Sequence, residues 1–286
     1  DELDFRAVES FLDDFASRRK KGKGKKELVG YSEVRIHLVY LRRITKRMQV
    51  EYGLPIWACE TVRLSKDVRR RRGKKRPAFT PEQLGAFLEA LDHADFKETS
   101  WRGLFWILAT TGMRPAEALA LRRNRIDFEG GRIIVNASAY RGEVRETTKT
   151  GSAREPGMAP ELADVLREHM KRFPTLPAGF LFPARTGGTR GGDTLRKPFK
   201  EVLKIAGITT EGLTPYSLRN TFNSIGESLF GSSLALRDSL GHVGADMTEL
   251  YNRTTTEERA EIAVGILGVV RSARPSSVTS DAYSGS

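Results

Sequence analysis

Eight residues constrain the folding of this chain more than any others: Arg69-Arg70-Arg71-Arg72-Gly73-Lys74-Lys75-Arg76, seven of them cationic. Charges of one sign at this density repel one another and cannot enter an apolar core. They lie in solvent or along an anion. Amphipathic patterns stand on both sides of them, so the chain is expected to divide here. Residues 63–78 read as a basic interdomain linker that includes Arg63, Lys66, Arg69, Arg70, Arg71, Arg72, Lys74, Lys75 and Arg76. Residues 1–62 then form a small basic helical module. One helix over 4–16 carries Phe5, Val8, Phe11, Leu12 and Phe15 at helical spacing. A second over 32–52 carries Val34, Ile36, Leu38, Leu41, Ile44 and Met48, and stops at Gly53 and Pro55. Another basic cluster, residues 18–26, reads as a loop between them.

The larger part, 79–270, opens on a good helix start, with Thr80 as N-cap and Pro81 at the first helical position. Helices are expected near 81–92, 99–111, from Pro115, and over 160–172, 193–206, 215–230, 232–240, 245–251 and 256–270. Short β signals fall between them, at Arg132-Ile133-Ile134-Val135, at 144–148 and near 154–158, punctuated by Gly130-Gly131 and Gly151. The fold class is therefore mainly α with a small antiparallel β-sheet (α+β). Residues 271–286, rich in Ser, read as a flexible tail.

Composition narrows the function. The chain of 286 residues holds 48 Lys+Arg against 36 Asp+Glu, a net +12, which suits a phosphate-bearing partner. One cysteine, Cys59, rules out an intramolecular disulfide and a cysteine-rich zinc site. His37, His93, His169 and His242 are scattered and form no HExxH or HxH spacing. No apolar run approaches the roughly 20 residues that span a bilayer, and a reducing cytoplasm fits the cysteine count. The chain starts at Asp1, which suggests a fragment.

Several residues could carry chemistry. In Thr111-Gly112-Met113-Arg114-Pro115-Ala116-Glu117, Gly112 ends one helix and Pro115 starts the next, so Arg114 stands at a junction that favours an anion. In Thr214-Pro215-Tyr216-Ser217-Leu218-Arg219, Arg219 lies in the first turns of a helix. Two such arginines can hold both free oxygens of a phosphodiester. His242 follows Gly241, and Tyr251 comes nine residues later. A histidine can add charge stabilisation, and a tyrosine hydroxyl can attack phosphorus. Lys149, in the turn Thr147-Thr148-Lys149-Thr150-Gly151, could protonate a leaving oxygen.

These boxes, in this order, resemble the signature of the tyrosine recombinases, the phage-integrase and Xer-like family. The likeness covers about 79–270, and more loosely the helical module, which resembles the family's core-binding domain. It implies a helical core-binding domain and a catalytic domain that clamp double-stranded DNA, with the basic linker running along phosphates. Arg114 and Arg219 match the phosphate-binding arginines, Lys149 the general acid, His242 the second histidine and Tyr251 the nucleophile. Glu117 matches the acid that orients the first arginine, three residues on and on the same helix face. One position departs: where the family usually has histidine, three before the second arginine, this chain has Tyr216. A neutral phenol with pKa near 10 accepts a proton poorly at pH 7, which leaves Tyr216 either a hydrogen-bond donor or a base.

The resemblance further implies site-specific cleavage and rejoining of DNA through a 3′-phosphotyrosyl link, with no cofactor, metal or ATP. It implies recombination sites with inverted repeats, a homo-tetramer on two duplexes, no membrane, and a nucleoid-associated place in the cytoplasm. The 256–270 helix is a candidate for docking on a neighbouring protomer. Only two strong helical patterns precede the linker, so the first module is either minimal or truncated. A type IB topoisomerase-like enzyme, a non-catalytic DNA-binding relative and a basic structural protein are the alternatives.

Overall fold

A computed structural model describes residues 5–18, 28–53, 60–71, 77–140, 142–146, 153–209, 212–241 and 254–273. The chain divides into two units, Asp1–Arg76 and Pro77–Ser286.

The first unit packs α1 (Phe5–Ser17), α2 (Tyr31–Tyr52) and α3 (Lys66–Arg70). Val8, Leu12 and Ala16 recur every four residues on α1 and meet Val34 and Leu38 of α2. Val62, Leu64 and Val68 complete this core. Residues 63–71, expected as linker, are therefore part of the folded unit. Ser65 caps α3 by accepting from the Val68 N–H at 3.4 Å. Arg71, expected among the linker's DNA contacts, turns inward instead. Its Nη1 donates to the carbonyls of Ala16 at 2.6 Å and Val29 at 3.2 Å, and its Nη2 pairs with Asp67. One arginine thus ties the end of α1 and the approach to α2 onto α3. On α2, Ile36, Ile44 and Met48 face solvent with Tyr40. They lie on a second apolar stripe, and only the Val34–Leu38 stripe is covered by α1.

The second unit is built around α6 (Ser100–Thr111), buried along its length from Gly103 to Thr111. A helix apolar on every side belongs at the centre of a layered core. It packs against α8 (Pro160–Arg172) and α10 (Pro215–Phe230). Thr80 and Gln83 form a reciprocal capping box at the start of α4 (Pro81–Ala90), as the Thr-Pro start implies. Phe79, Phe87, Phe105 and Phe199 interlock edge to face or tilted, with ring centroids 5.5–6.2 Å apart. Short helices α5 (Ala94–Lys97) and α7 (Pro115–Leu119) flank α6. After the 3-10 turn Gly192–Leu195 comes α9 (Arg196–Ile205).

The small antiparallel β component forms two two-stranded sheets among the described residues. β1 (Ile126–Asp127) pairs with β2 (Arg132–Ile133), and β3 (Ser138–Tyr140) with β4 (Glu143–Arg145). Residues 153–158 join by isolated bridges, Val135 to Arg154 and Arg132 to Gly157. The strand expected at 144–148 is thus the short β4, and its partner β3 carried no apolar run.

α11 (Leu234–Leu240) and α12 (Thr256–Ser272) close the unit. Ile262, Ala263, Ile266, Leu267 and Val270 of α12 are buried among α4, α10 and α11. The apolar stripe expected to dock on a neighbour is occupied within its own unit. His169 is a core residue, its Nε2 bonded to the Leu181 carbonyl at 2.9 Å and its pKa lowered chiefly by burial. No described helix is long and apolar enough to cross a membrane.

Candidate active site

Four charged side chains from three stretches of the chain gather where α6 and α11 end. Both helices stop at a glycine in the left-handed conformation, Gly112 at φ 63° and Gly241 at φ 64°. Neither position has room for a side chain. A Cβ on Gly112 would stand 2.6 Å from Phe222, and one on Gly241 would stand 2.8 Å from the Arg154 Cδ. The stop at Gly112 lets the chain turn sharply into the site at Arg114.

After Gly112, Met113 is fully buried and anchors the turn. Arg114 then caps α7, and Pro115 starts it. Glu117, one turn later, reaches back: its Oε2 accepts from the Arg114 backbone N–H at 2.8 Å and its Oε1 from Arg114 Nη1 at 2.8 Å. The Glu117 side chain is 1% exposed and that of Arg114 is 19% exposed. The carboxylate is therefore the floor, and the Arg114 guanidinium keeps an open side. Glu117 Oε2 also pairs with Arg154 Nη2. Burial alone would push the Glu117 pKa up. The Arg154 charge and the two Arg114 bonds outweigh it and hold the carboxylate below its ordinary range.

Arg219, in the second turn of α10, is buried. Its Nη1 donates to the Gly112 carbonyl and its Nη2 to the Leu240 carbonyl, both at 2.6 Å. These are C-terminal carbonyls of α6 and α11, where the helix dipole welcomes a cation. Burial, and then the like charges of Arg114 and Arg154, lower the Arg219 pKa to about 10. Tyr216, one turn earlier on α10 and half-buried, interacts electrostatically with Arg219. Three guanidiniums share one carboxylate, so the cluster carries a net +2. Such an excess in a buried place is what a bound dianion or a phosphodiester would offset.

Arg114, Glu117, Tyr216 and Arg219 thus come together. Lys149, His242 and Tyr251 lie outside the described residues, as do Arg72, Lys74, Lys75 and Arg76. Both chain ends that lead to the His242–Tyr251 segment are tied to α11. The Gly241 N–H donates to the Asp238 carbonyl at 2.9 Å, and the Thr254 hydroxyl to the Asp238 carboxylate at 2.8 Å. Arg63, Lys66, Arg69 and Arg70 are exposed on the first unit.

Two features went unseen in the sequence. One is Arg154, which opens the short β signal near 154–158 and meets its partners only through the fold. The other is a shallow basic depression on α9, lined by Arg196, Lys197, Lys200, Glu201 and Lys204. Arg196, Lys200 and Lys204 recur four residues apart behind the buried face Phe199–Val202–Leu203, a pattern that could have been read.

Residues 77–258 match the description of the phage integrase family. The chain is 26% identical over 189 residues to the tyrosine recombinase XerD of Vibrio vulnificus strain YJ016, covering 64% of this chain and 58% of that one. It is 25% identical over 184 residues to the tyrosine recombinase XerH of Campylobacter jejuni, covering 63% of this chain and 49% of that one. The chain therefore spans less than two thirds of the length of these relatives. In fold it is similar to the Tn1549 transposon integrase in complex with circular intermediate DNA, with a TM-score of 0.66 and 19% identity over 92% of this chain and 85% of that one. It is also similar to the XerH recombinase bound to a palindromic difH substrate, with a TM-score of 0.61 and 18% identity over 95% and 72%.

Proposed function

The chain belongs to the phage integrase family, and from that premise we propose that it is a site-specific DNA recombinase of the tyrosine type. The observation that carries the reading is the buried cluster of Arg114, Arg154 and Arg219 around Glu117, with its net positive charge and the open side of Arg114. A scissile phosphodiester is the substrate such a cluster suits. Arg114 and Arg219 would hold its free oxygens and offset the charge that grows on them during attack. The Tyr251 oxygen would release its proton to solvent and form a bond to phosphorus while the bond to the 5′ oxygen breaks, with Lys149 giving that oxygen its proton. A 5′-hydroxyl of the partner duplex would then displace Tyr251 and restore the phosphodiester. One P–O bond replaces another at each step, so neither ATP nor an oxidant is needed. His242 would add a hydrogen bond to the phosphate, and Tyr216 would donate another.

Double-stranded DNA would be engaged by the second unit through this site and the α9 cations, and by the first unit through Arg63, Lys66, Arg69 and Arg70. Arg72, Lys74, Lys75 and Arg76 would follow phosphates between the units. The recombination site would consist of inverted repeats, with a tetramer of this chain joining two duplexes in the nucleoid. The lambda integrase tetramer bound to a Holliday junction, with a TM-score of 0.56, supports that assembly by likeness of fold.

The test uses a duplex selected from a random pool by binding to this protein, then nicked near its centre to trap cleavage. Wild-type protein should form a covalent complex with it in excess EDTA, and Tyr251→Phe should bind it without forming one. Absence of the complex in wild type, or its dependence on a divalent metal, would overturn the reading.

A further inference from the structure

We propose that Arg154 is a positioning residue of the site. It holds Glu117, and through it Arg114, in fixed register with the turn at Gly241. This deepens the recombinase reading and rests on it.

Glu117 has two oxygens and two arginine partners. Arg114 takes Oε1 with its side chain, and Arg154 binds Oε2. Arg219 is fastened elsewhere, its two terminal nitrogens donating to the Gly112 and Leu240 carbonyls. Arg154 is itself rigidly mounted. Its backbone exchanges two hydrogen bonds with Val135, at 2.9 and 3.1 Å. Its Nη1 donates to the Ser239 carbonyl, and its Cδ lies against Gly241. One guanidinium therefore joins α7, the segment five residues beyond Lys149, and the end of α11 just before His242. The first of these joints holds two of the residues assigned to the site, Arg114 at the cap of α7 and Glu117 within it.

A purely structural role does not account for this arrangement. Arg154 is 7% exposed and raises the like-charge burden on Arg219. Its Nε has no hydrogen-bond partner among the described residues. Stability alone would favour apolar groups at Glu117 and Arg154 together, since well-packed apolar side chains often replace a whole buried ion pair without loss. Cost retained at such a place is expected of a functional site.

The consequence is a pH signature. Glu117 faces Arg114, Arg154 and Arg219. Without Arg154 the carboxylate loses its strongest opposing charge, and burial pushes it toward protonation. A protonated Glu117 releases the Arg114 guanidinium. Arg154→Met should then cleave the selected nicked duplex slowly near neutral pH and recover as pH rises, with the acidic limb of its rate profile moved upward from wild type. The loss near neutrality should be on the order of tenfold to a hundredfold, as for small misplacements of a catalytic group. DNA affinity should change little. Arg154→Lys, which keeps the charge but only one arm, should restore part of the rate.

Two measurements keep the inference separate from the recombinase reading. In a Glu117→Gln background, Arg154→Met should add almost nothing to the loss, because it acts through the residue already altered. Carboxyl NMR of full-length protein should show the Glu117 titration moving up in Arg154→Met and staying low in wild type. An unmoved Glu117 titration overturns the inference whether or not the protein cleaves DNA. So does an Arg154→Met enzyme that cleaves at the wild-type rate with an unchanged pH profile. A wild-type protein that forms no covalent complex overturns the recombinase reading instead, and the NMR result then decides the coupling alone.

Discussion

Glu117→Gln removes one negative charge and no volume from the most buried part of the site. The carboxylate accepts three hydrogen bonds, from the Arg114 N–H, the Arg114 guanidinium and Arg154. Glutamine keeps one acceptor oxygen and turns an NH2 group toward a guanidinium. Two charge-assisted bonds at about 1.5–3 kcal/mol each are lost. That agrees with the roughly 3–5 kcal/mol for breaking a buried ion pair from one side. The side chain is 1% exposed, so solvent screening does not reduce the figure. In a unit of this size the melting point should fall by about 6–20 °C. Two of the three tryptophans, Trp101 and Trp106, lie on α6, so fluorescence follows the unit concerned. The pH dependence has a definite sign. The folded carboxylate titrates below its ordinary value, so its stabilisation is fully present above the unfolded value of about 4.3 and is lost as pH falls through the folded one. Wild type and Glu117→Gln should thus differ fully at about pH 6 and converge only in stronger acid. A difference under about 1 kcal/mol near neutral pH, or one already gone by about pH 6, would refute the reasoning.

Three further outcomes are expected. Tyr216→Phe should lose about one hydrogen bond, on the order of 0.5–1.5 kcal/mol or threefold to tenfold in single-turnover cleavage; a loss nearer a thousandfold at about pH 7 would make the phenol a base. Lys149→Ala should cleave normal DNA slowly and a 5′-bridging phosphorothiolate almost as fast as wild type, since a thiolate leaves without a proton; equal impairment on both would assign Lys149 to positioning. Replacing Arg69 and Arg70 with Ala should flatten the salt dependence of DNA binding by about 0.9 per lost phosphate contact, whereas Arg71→Ala should instead lower stability, because Arg71 ties Ala16 and Val29 to α3; an unchanged slope for Arg69 and Arg70 would mean that they touch no phosphate.

What the sequence disclosed depended on how local the cause was. The Thr80-Pro81 start, the stop at Gly112 and the Arg114–Glu117 pair are fixed by residues at most three apart, and they are found as read. The α3 helix was hidden because four consecutive arginines outweigh Leu64 and Val68, the apolar pair that seats it. Arg154 meets Glu117 across 37 residues, and Arg219 meets Gly112 across 107. No periodicity reports contacts that distant. The sequence could nominate Arg219 for a phosphate, but not show that its terminal nitrogens also fasten two helix ends together. On α2, helical spacing marked every apolar residue alike, and only packing separates buried Val34 and Leu38 from exposed Ile36 and Ile44.

The most direct test of the central claim is the identity of the residue that becomes linked to DNA. Wild-type protein trapped on the nicked duplex can be digested with protease and nuclease and the nucleotide-bearing peptide sequenced by mass spectrometry. A single peptide with a 3′-linked nucleotide on Tyr251 is expected. A nucleotide on Tyr140, Tyr216 or Tyr283, or one joined through its 5′ phosphate, would contradict it.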